Sequence, residues 1–181
     1  FFLLPVLLGS FFSRFVPSWA LGIIESFIRI AIFLGYLFAI SRMKEIQRVF
    51  QYHGAEHKTI NCFESEKELT VENVRPCTRL HKRCGTSFLF FVIIISCIVF
   101  MFIQTTSVGD RLLLKLCLVP FIAGISYEVI RWAGNSDSPL VAIVSKPGFC
   151  LQMLTTAEPD DSQIEAAIAA MKGVLEDEGE Q

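Results

Sequence analysis

Two histidines with a glutamate between them stand in the one long polar stretch of an otherwise apolar sequence, as His53-Gly54-Ala55-Glu56-His57. On a helix, residues four apart lie on one face, one turn apart, so both imidazoles can share one ion. The order His-x-x-Glu-His is the inverted form of a zinc-protease motif, in which the glutamate polarises a metal-bound water. The motif therefore predicts a divalent metal site, zinc above all, with His53 and His57 as ligands and Glu56 as the catalytic base.

A catalytic metal site needs a third protein ligand and an open position for water. The candidates are Glu128, His81, Cys84 and Cys77. Cys77, His81 and Cys84 also form a second cluster, Cys-x-x-x-His-x-x-Cys. With Cys62 or a histidine it could close a structural zinc site, although its spacing matches no strong finger pattern. A surface helix with two unligated histidines is the alternative to both metal sites.

The elements that must position these residues are predicted to be membrane helices. The chain has 181 residues, of which 52% are hydrophobic and 17 are phenylalanine. This composition predicts an all-α membrane protein, a helical bundle of three to four transmembrane segments. The net charge of -2 gives no indication of a nucleic-acid partner, and six scattered cysteines do not make a disulfide framework. The first residues, Phe-Phe-Leu-Leu, carry no initiator Met, so we expect residues to be missing upstream.

Four regions follow from the distribution of polar and apolar residues. Residues 1–40 hold N-terminal membrane segments, the first of them truncated, and residues 41–85 hold the metal motif. Residues 86–134 form a transmembrane hairpin with spans at 86–105 and 112–132. Residues 135–181 hold a membrane-surface or re-entrant piece, then a soluble amphipathic helix and an acidic tail. In the motif helix, Gly54 costs about 1 kcal/mol relative to Ala, which is tolerable where a close approach is needed.

The positive charges predict the orientation of these segments. Residues 41–85 carry nine Lys or Arg, whereas the opposite connections carry Arg14 and Arg111 only. The positive-inside rule then places residues 41–85 and the C-terminus in the cytoplasm of a multi-pass cell-membrane protein. Glu128 and Arg131 lie at the cytoplasmic end of their span, at the depth of the His53 helix.

Further charged residues suggest contacts with anions or within the membrane. Arg79, Arg83 and Arg131 are candidates for binding an anionic lipid or a phosphorylated substrate, or else serve only as topology determinants. Glu25 and Arg29 lie four residues apart inside a predicted span and can pair on one helical face. They form a structural pair, or they line a polar cavity or contact a lipid headgroup.

Several sequence blocks together resemble the YqhQ-like family of bacterial multi-pass membrane proteins. The blocks are Tyr-His-Gly-Ala-Glu-His-Lys (52–58), Glu-Leu-Thr-Val-Glu-Asn-Val-Arg (68–75), Leu-His-Lys-Arg-Cys-Gly-Thr-Ser-Phe (80–88), Tyr-Glu-Val-Ile-Arg-Trp-Ala-Gly (127–134) and Leu-Thr-Thr-Ala-Glu-Pro-Asp-Asp-Ser-Gln-Ile-Glu (154–165). The resemblance implies a metal-dependent protein whose motifs contain His53, Glu56, His57, His81, Cys84 and Glu128. Lys82 stands where the family has proline, and Cys77 lies outside the family pattern. A Gly-rich segment with a glutamate, which precedes the first spans in the family, is absent here.

The leading prediction is a metal-dependent membrane enzyme, a hydrolase with its site at the cytoplasmic membrane face. One alternative is a non-enzymatic membrane protein with a structural metal site. The other is a small transporter or channel component that uses Glu25, Arg29, Lys115 and Glu128 inside the bundle. The predicted partners are the lipid bilayer and a second copy of the chain.

Overall fold

The computed structural model describes residues 3–12, 15–103, 107–136 and 138–179, and within them the chain forms helices and no strand. The all-α prediction is therefore confirmed. Arg14 and the last residues of the acidic tail, at 180–181, lie outside the described residues. The helices are α1 (Leu3–Phe12), α2 (Ser18–Ile40), α3 (Lys44–Glu64), α4 (Val71–Val74), α5 (Gly85–Met101), α6 (Val108–Gly134), α7 (Pro139–Thr155) and α8 (Asp161–Gly179).

Two helices are long and apolar enough to cross a membrane, at Ala20–Ile40 and Gly109–Gly134. The apolar helices α1, α5 and α7 are shorter. The span predicted at 86–105 is a helix of 17 residues that ends at Met101. At 1.5 Å per residue it is about 26 Å long, less than the roughly 30 Å of a bilayer core. The length criterion thus supports two spans and does not confirm three to four.

The helices pack in two groups. The apolar helices α2, α5 and α7 meet in a core that contains Phe33, Ile93 and Leu151. The polar helices α3, α4 and α8 form a second core, in which Ala55 of α3 packs with Ile164 of α8 and their neighbours. The segment predicted as a membrane-surface or re-entrant piece contains helix α7, which packs against α5.

Local sequence signals explain where α8 begins. Asp160 Oδ1 accepts a hydrogen bond from the Gln163 backbone N–H at 2.9 Å, and Gln163 Oε1 accepts one from the Asp160 N–H at 2.9 Å. This reciprocal pair is a capping box. Ile164 and Ile168, on the apolar side of α8, are buried against α3.

The polar residues of α2 belong to an ionic cluster that joins three helices. The Glu25 carboxylate forms an ion pair with Arg111 Nη1 of α6 at 2.9 Å and a second one with Lys115 Nζ of the same helix. Arg29 Nη1 donates to Ser96 Oγ of α5 at 3.4 Å. The two residues that the sequence grouped as one pair thus connect α2 to both α6 and α5.

The helix α3 is crossed closely by the link between α7 and α8 at Gly54. A Cβ atom at Gly54 would lie 2.1 Å from the Ala157 carbonyl oxygen. The backbone N–H of Ala157 also donates to the Phe50 carbonyl at 2.9 Å, which holds the link in place. Position 54 therefore requires glycine, because any larger side chain would clash with the Ala157 carbonyl.

Gly54→Ala is expected to destabilise the protein, although helix propensity alone predicts a gain of about 1 kcal/mol. The added methyl group must displace backbone rather than a flexible side chain, and such overpacking costs roughly 1–3 kcal/mol. With the propensity gain subtracted, the net loss is about 1 kcal/mol, which lowers Tm by roughly 2–4 °C at this chain length. The matched control is Gly173→Ala in α8, where nothing lies within 4 Å of the added Cβ. An unchanged or higher Tm for Gly54→Ala would contradict the close approach.

Candidate metal centre

Three side chains from two helices converge on one point. His53 and His57 lie on consecutive turns of α3, with ring centroids 4.3 Å apart. Cys84 is the residue before α5, and its Sγ lies 3.3 Å from His53 Nε2. The potential ligand atoms of the three residues all lie within 4.8 Å of one another. The helical spacing of the motif thus does bring both histidines to one site.

Backbone carbonyls orient both imidazole rings. His53 Nδ1 is 2.9 Å from the Thr155 carbonyl oxygen, and His57 Nδ1 is 2.6 Å from that of Arg79. A carbonyl only accepts hydrogen bonds, so each Nδ1 carries the proton and donates it. Metal-binding histidines are held in this way, with the second nitrogen left free for the ion. Each Nε2 is therefore directed to the cluster, where it donates to the Cys84 thiolate in the metal-free protein and can bind an ion only after losing that proton.

Cys84 is placed where a thiolate is stabilised. Burial raises the pKa of its thiol, but hydrogen bonds from His53, His57 and Thr86 outweigh this effect and lower the pKa from 9.0 to about 5. The backbone N–H of Thr86, at the start of α5, donates to Cys84 Sγ at 3.4 Å. The sulfur at neutral pH is thus an anion, able to bind a metal or to act as a nucleophile. In return, the hydrogen bond with Cys84 is the main cause that raises the pKa of His53.

The segment that carries Cys84 is held by a buried side chain of α7. Gln152 Nε2 donates to the His81 carbonyl at 2.7 Å and to Ser87 Oγ at 2.8 Å. Its Oε1 accepts the His81 backbone N–H at 2.8 Å. These three hydrogen bonds hold the chain on both sides of Cys84, so α7 positions the sulfur against α3.

The donor set fits zinc. Zinc takes imidazole nitrogen at about 2.0–2.1 Å and thiolate sulfur at about 2.3 Å, so in a tetrahedral site these two atoms lie about 3.5 Å apart. The distance of 3.3 Å between His53 Nε2 and Cys84 Sγ is close to that value. Two nitrogens and one sulfur leave a fourth position for another ligand.

Two candidate ligands lie outside the group. His81 is near, with its ring 5.9 Å from that of His57, but its Nε2 is 3.3 Å from Glu64 Oε2. Glu128 is exposed on α6, and its Oε1 lies 3.6 Å from Arg131 Nη1. The geometry therefore does not support Glu128 as third ligand, because its carboxylate is on the exposed surface of α6, whereas the third side chain beside the two histidines is Cys84.

Glu56 is close to the histidines in sequence but lies on a different side of α3. Its side chain is exposed and lines a groove between α3 and α8. Its negative charge raises the pKa of His53 less than the hydrogen bond with Cys84 does. The carboxylate therefore influences the site electrostatically without belonging to the ligand group.

The arginines predicted to bind anions make contacts within the protein. Arg79 Nη1 donates to the Thr156 carbonyl at 2.8 Å, and its Nε lies 3.7 Å from Glu158. Arg83 donates to the Gly134 carbonyl at 3.1 Å. These contacts tie the loop before α5 to α6 and to the α7–α8 link, so a structural role is evident and anion binding stays a prediction.

The predicted structural zinc site does not assemble. Cys62 is buried in the core of α3, α4 and α8, and Cys77 packs against that core. The Cys77 thiol donates to the Asn73 carbonyl at 3.3 Å. In the described part of the chain, the metal-competent group contains Cys84 but neither of these thiols.

The sequence did not predict which groups hold the histidines and Cys84 in place. The backbone carbonyls of Thr155 and Arg79 cannot be singled out in a sequence, because every residue has a backbone carbonyl. Gln152 could have been found, because a glutamine inside an apolar helix needs buried partners for its amide.

The thiolate absorbance of Cys84 is expected to titrate near pH 5 in the metal-free protein, well below the ordinary thiol pKa of 9.0. Because the folded pKa lies below the unfolded one, the thiolate contributes stability that is fully present above pH 9 and is lost as the pH falls through about 5. The measurement is the ultraviolet difference between the unchanged protein and Cys84→Ser. A His53→Ala background should move the midpoint upward, and a midpoint near 9 in the unchanged protein would refute the contact.

These features define a class: an all-helical protein with several apolar helices, in which a His/His/Cys cluster links a polar helix to the start of an apolar one. The chain belongs to the family described as "Protein of unknown function (DUF1385)", whose model matches residues 1–177. It is also 41% identical over 177 residues to "Uncharacterized protein YqhQ" of Bacillus subtilis (strain 168). The match covers 97% of this chain and 56% of that protein, so the chain spans little more than half the length of its relative. No solved structure matches the chain.

Proposed function

We propose that this protein is a metal-dependent membrane enzyme of the hydrolase type, with zinc held by His53, His57 and Cys84. The observation that carries the proposal is the pair of Nδ1 hydrogen bonds to the Thr155 and Arg79 carbonyls. They direct both Nε2 atoms toward one sulfur, as a metal site requires.

In this proposal the chain crosses the cell membrane several times, and residues 41–85 and the C-terminus face the cytoplasm. The nine Lys or Arg residues of 41–85 support this orientation. The packing of α3, α4 and α8 in one core supports placing both polar regions on the same side. The metal centre then lies at the cytoplasmic membrane face, where α5 begins.

Each residue has a role in the proposed reaction. When bound, zinc would lower the pKa of a water ligand to about 7 and polarise the substrate. His53 and His57 keep their Nδ1 protons on backbone carbonyls, so their Nε2 atoms stay available. The motif assigns the general base to Glu56, although its carboxylate lies on another side of α3, and the Glu56→Gln variant below tests that role. Arg79, Arg83 and Arg131 would orient an anionic lipid or phosphorylated substrate.

The test compares three proteins, each equilibrated with zinc, in lipid vesicles against a panel of ester, amide and phosphoester substrates. The unchanged protein should hydrolyse at least one of them. Glu56→Gln should keep its zinc and lose at least about 100-fold in rate, the range for a general base. His53→Ala/His57→Ala should lose both zinc and activity. Activity that survives both changes would refute the proposed site.

A structural metal site is the second candidate, favoured by the burial of two of the three ligands. His57 is 3% exposed and Cys84 is 5% exposed. Structural zinc sites are closed to solvent, whereas catalytic ones keep an open position. In that case Glu56→Gln has no effect in cells, while His57→Ala abolishes function by unfolding the site.

A further inference from the structure

Two cysteines outside the metal centre lie close together at the C-terminal end of α3. Cys62 is on α3, and Cys77 follows the short helix α4. Asn61 Nδ2 donates to the Thr78 carbonyl at 2.7 Å, so the residue before Cys62 is hydrogen-bonded to the residue after Cys77. Cys77 also packs against the core that contains Cys62. The fold therefore brings these two side chains to the same place.

Hydrogen bonds on the opposite side of the thiols connect them as well. The Cys62 thiol donates to the Glu68 carbonyl at 3.8 Å, and the Cys77 thiol donates to the Asn73 carbonyl at 3.3 Å. The side chain of Asn73 donates to that same Glu68 carbonyl at 3.0 Å. Burial is the main cause that raises the pKa of Cys62, and the charge of Cys77 and a hydrogen bond with it add to this effect. The two sulfur atoms are thus direct neighbours.

The two thiols differ in their access to solvent. Cys62 is 0% exposed, whereas Cys77 is half-buried. Cys77 lines an open cavity of about 450 Å³, together with Ser65, Lys67 and Thr78. A small solute can therefore reach the Cys77 sulfur from this cavity, and it reaches Cys62 only through Cys77.

This arrangement suits thiol–disulfide exchange. In the described part of the chain, the metal-competent group includes neither thiol, so zinc does not compete for them. Exchange needs one accessible thiol that attacks first and a second thiol close enough to resolve the mixed disulfide. Cys77 meets the first condition and Cys62 the second. In the proposed cytoplasmic location such a disulfide would be transient, as it is in redox-sensing proteins.

We propose that Cys62 and Cys77 form a reversible disulfide by exchange with a small-molecule disulfide of the glutathione type. First, the Cys77 thiol loses its proton and attacks one sulfur of oxidised glutathione, which leaves a mixed disulfide and releases one glutathione thiolate. Next, the Cys62 thiol loses its proton and attacks the Cys77 sulfur, which releases the second glutathione thiolate. The two protons pass to the two released thiolates. Two protein thiols are oxidised, and one glutathione disulfide is reduced.

The disulfide constrains a segment that supports the metal centre. It closes a loop of roughly 15 residues around α4, a length for which a crosslink restricts the unfolded chain strongly. The loop ends shortly before Arg79, whose carbonyl lies 2.6 Å from His57 Nδ1. The bond therefore holds the segment before Arg79 on α3. This inference goes beyond the proposed enzymatic function, and formation of the bond does not need the metal.

The experiment treats the full chain in phosphatidylcholine nanodiscs with oxidised glutathione, blocks the remaining thiols and maps tryptic peptides by mass spectrometry. Cys62 lies on peptide 59–67 and Cys77 on peptide 68–79, and Cys84 lies on neither. Most of the protein should yield these two peptides linked by one disulfide, and a reductant should separate them. Tm should rise on oxidation by roughly 6–12 °C, the shift that a loop of this length gives at this chain length.

Two variants identify the roles of the thiols. Cys62→Ala removes the resolving thiol, so glutathione should remain attached to Cys77. Cys150→Ser is the matched control, because Cys150 is an exposed free thiol on α7, far in the chain from the pair. It should form the linked peptides and show the same rise in Tm as the unchanged protein.

Several results would overturn the proposal. A lasting glutathione adduct on Cys77 in the unchanged protein would mean that Cys62 is out of reach. An unmodified Cys77 beside a modified Cys150 would mean that the cavity does not admit the oxidant. A fall in Tm on oxidation would mean that the bond distorts the fold. His53→Ala/His57→Ala should form the same disulfide, so failure of the metal centre and failure of this inference are separate results.

Discussion

The double variant His53→Ala/His57→Ala is expected to bind zinc at least about 100-fold more weakly than the unchanged protein. Loss of a residue that only supports a metal ligand costs 10–100-fold in affinity, and this change removes two ligands outright. Cys84→Ser should also weaken binding, because it replaces the one soft ligand. The measurement is zinc content after equilibration with a zinc-buffering chelator. Substitution by cobalt adds a thiolate-to-metal absorption band that Cys84→Ser should abolish.

The matched control is His81→Ala. This third histidine has its ring 5.9 Å from that of His57, but its Nε2 lies 3.3 Å from Glu64 and not in the ligand group. It should keep its zinc within a few-fold of the unchanged protein. A loss as large as that of the double variant would mean that His81 is a ligand. Full zinc content in the double variant would place the metal elsewhere or nowhere in this protein.

Glu25→Gln is expected to lower the free energy of unfolding by about 3–5 kcal/mol, since it breaks a buried ion pair and leaves the partner charges uncompensated. The Glu25 side chain is 3% exposed, and that of Lys115 is 1% exposed. Both belong to the cluster that joins α2 to α6, so the variant should unfold at markedly lower temperature or denaturant concentration. Lys115→Met in the same background should recover part of the loss, because the uncompensated cation is then removed.

Glu128→Gln is the control for that change. Glu128 and Arg131 also form an ion pair, at 3.6 Å, but their side chains are 65% and 62% exposed. Exposed pairs contribute about 0–1 kcal/mol, so this variant should unfold almost like the unchanged protein. Equal effects of Glu25→Gln and Glu128→Gln would show that the α2–α6 cluster does not stabilise the fold. A loss of transport in Glu25→Gln with unchanged stability would instead favour the channel alternative.

Much of the fold was predictable because it depends on short-range patterns. Helix α3 follows from apolar residues at helical spacing around the metal motif, and it runs from Lys44 to Glu64. The start of α8 follows from the capping box of Asp160 and Gln163. The number of spans was less predictable, since composition marks an apolar segment at 86–105 but does not show that its helix ends at Met101.

The third metal ligand shows where sequence reasoning stops. Charge topology placed Glu128 and Cys84 at the same end of the molecule, and spacing along the chain does not choose between them. The packing of α5 against α7 and the hydrogen bonds of Gln152 bring Cys84, and not Glu128, beside the two histidines. Glu128 sits on the exposed surface of α6, a position that depends on how the whole helix is rotated.

The sequence by itself determined that the chain is helical, that His53 and His57 share a face, and that Gly54 tolerates a close neighbour. These properties depend on residues within one or two turns of a helix. Only the tertiary structure brought Cys84 within 3.3 Å of His53 and the Thr155 and Arg79 carbonyls to the two Nδ1 atoms. Those contacts join residues 22 to 102 positions apart, and no local pattern encodes them because they arise from the packing of whole helices.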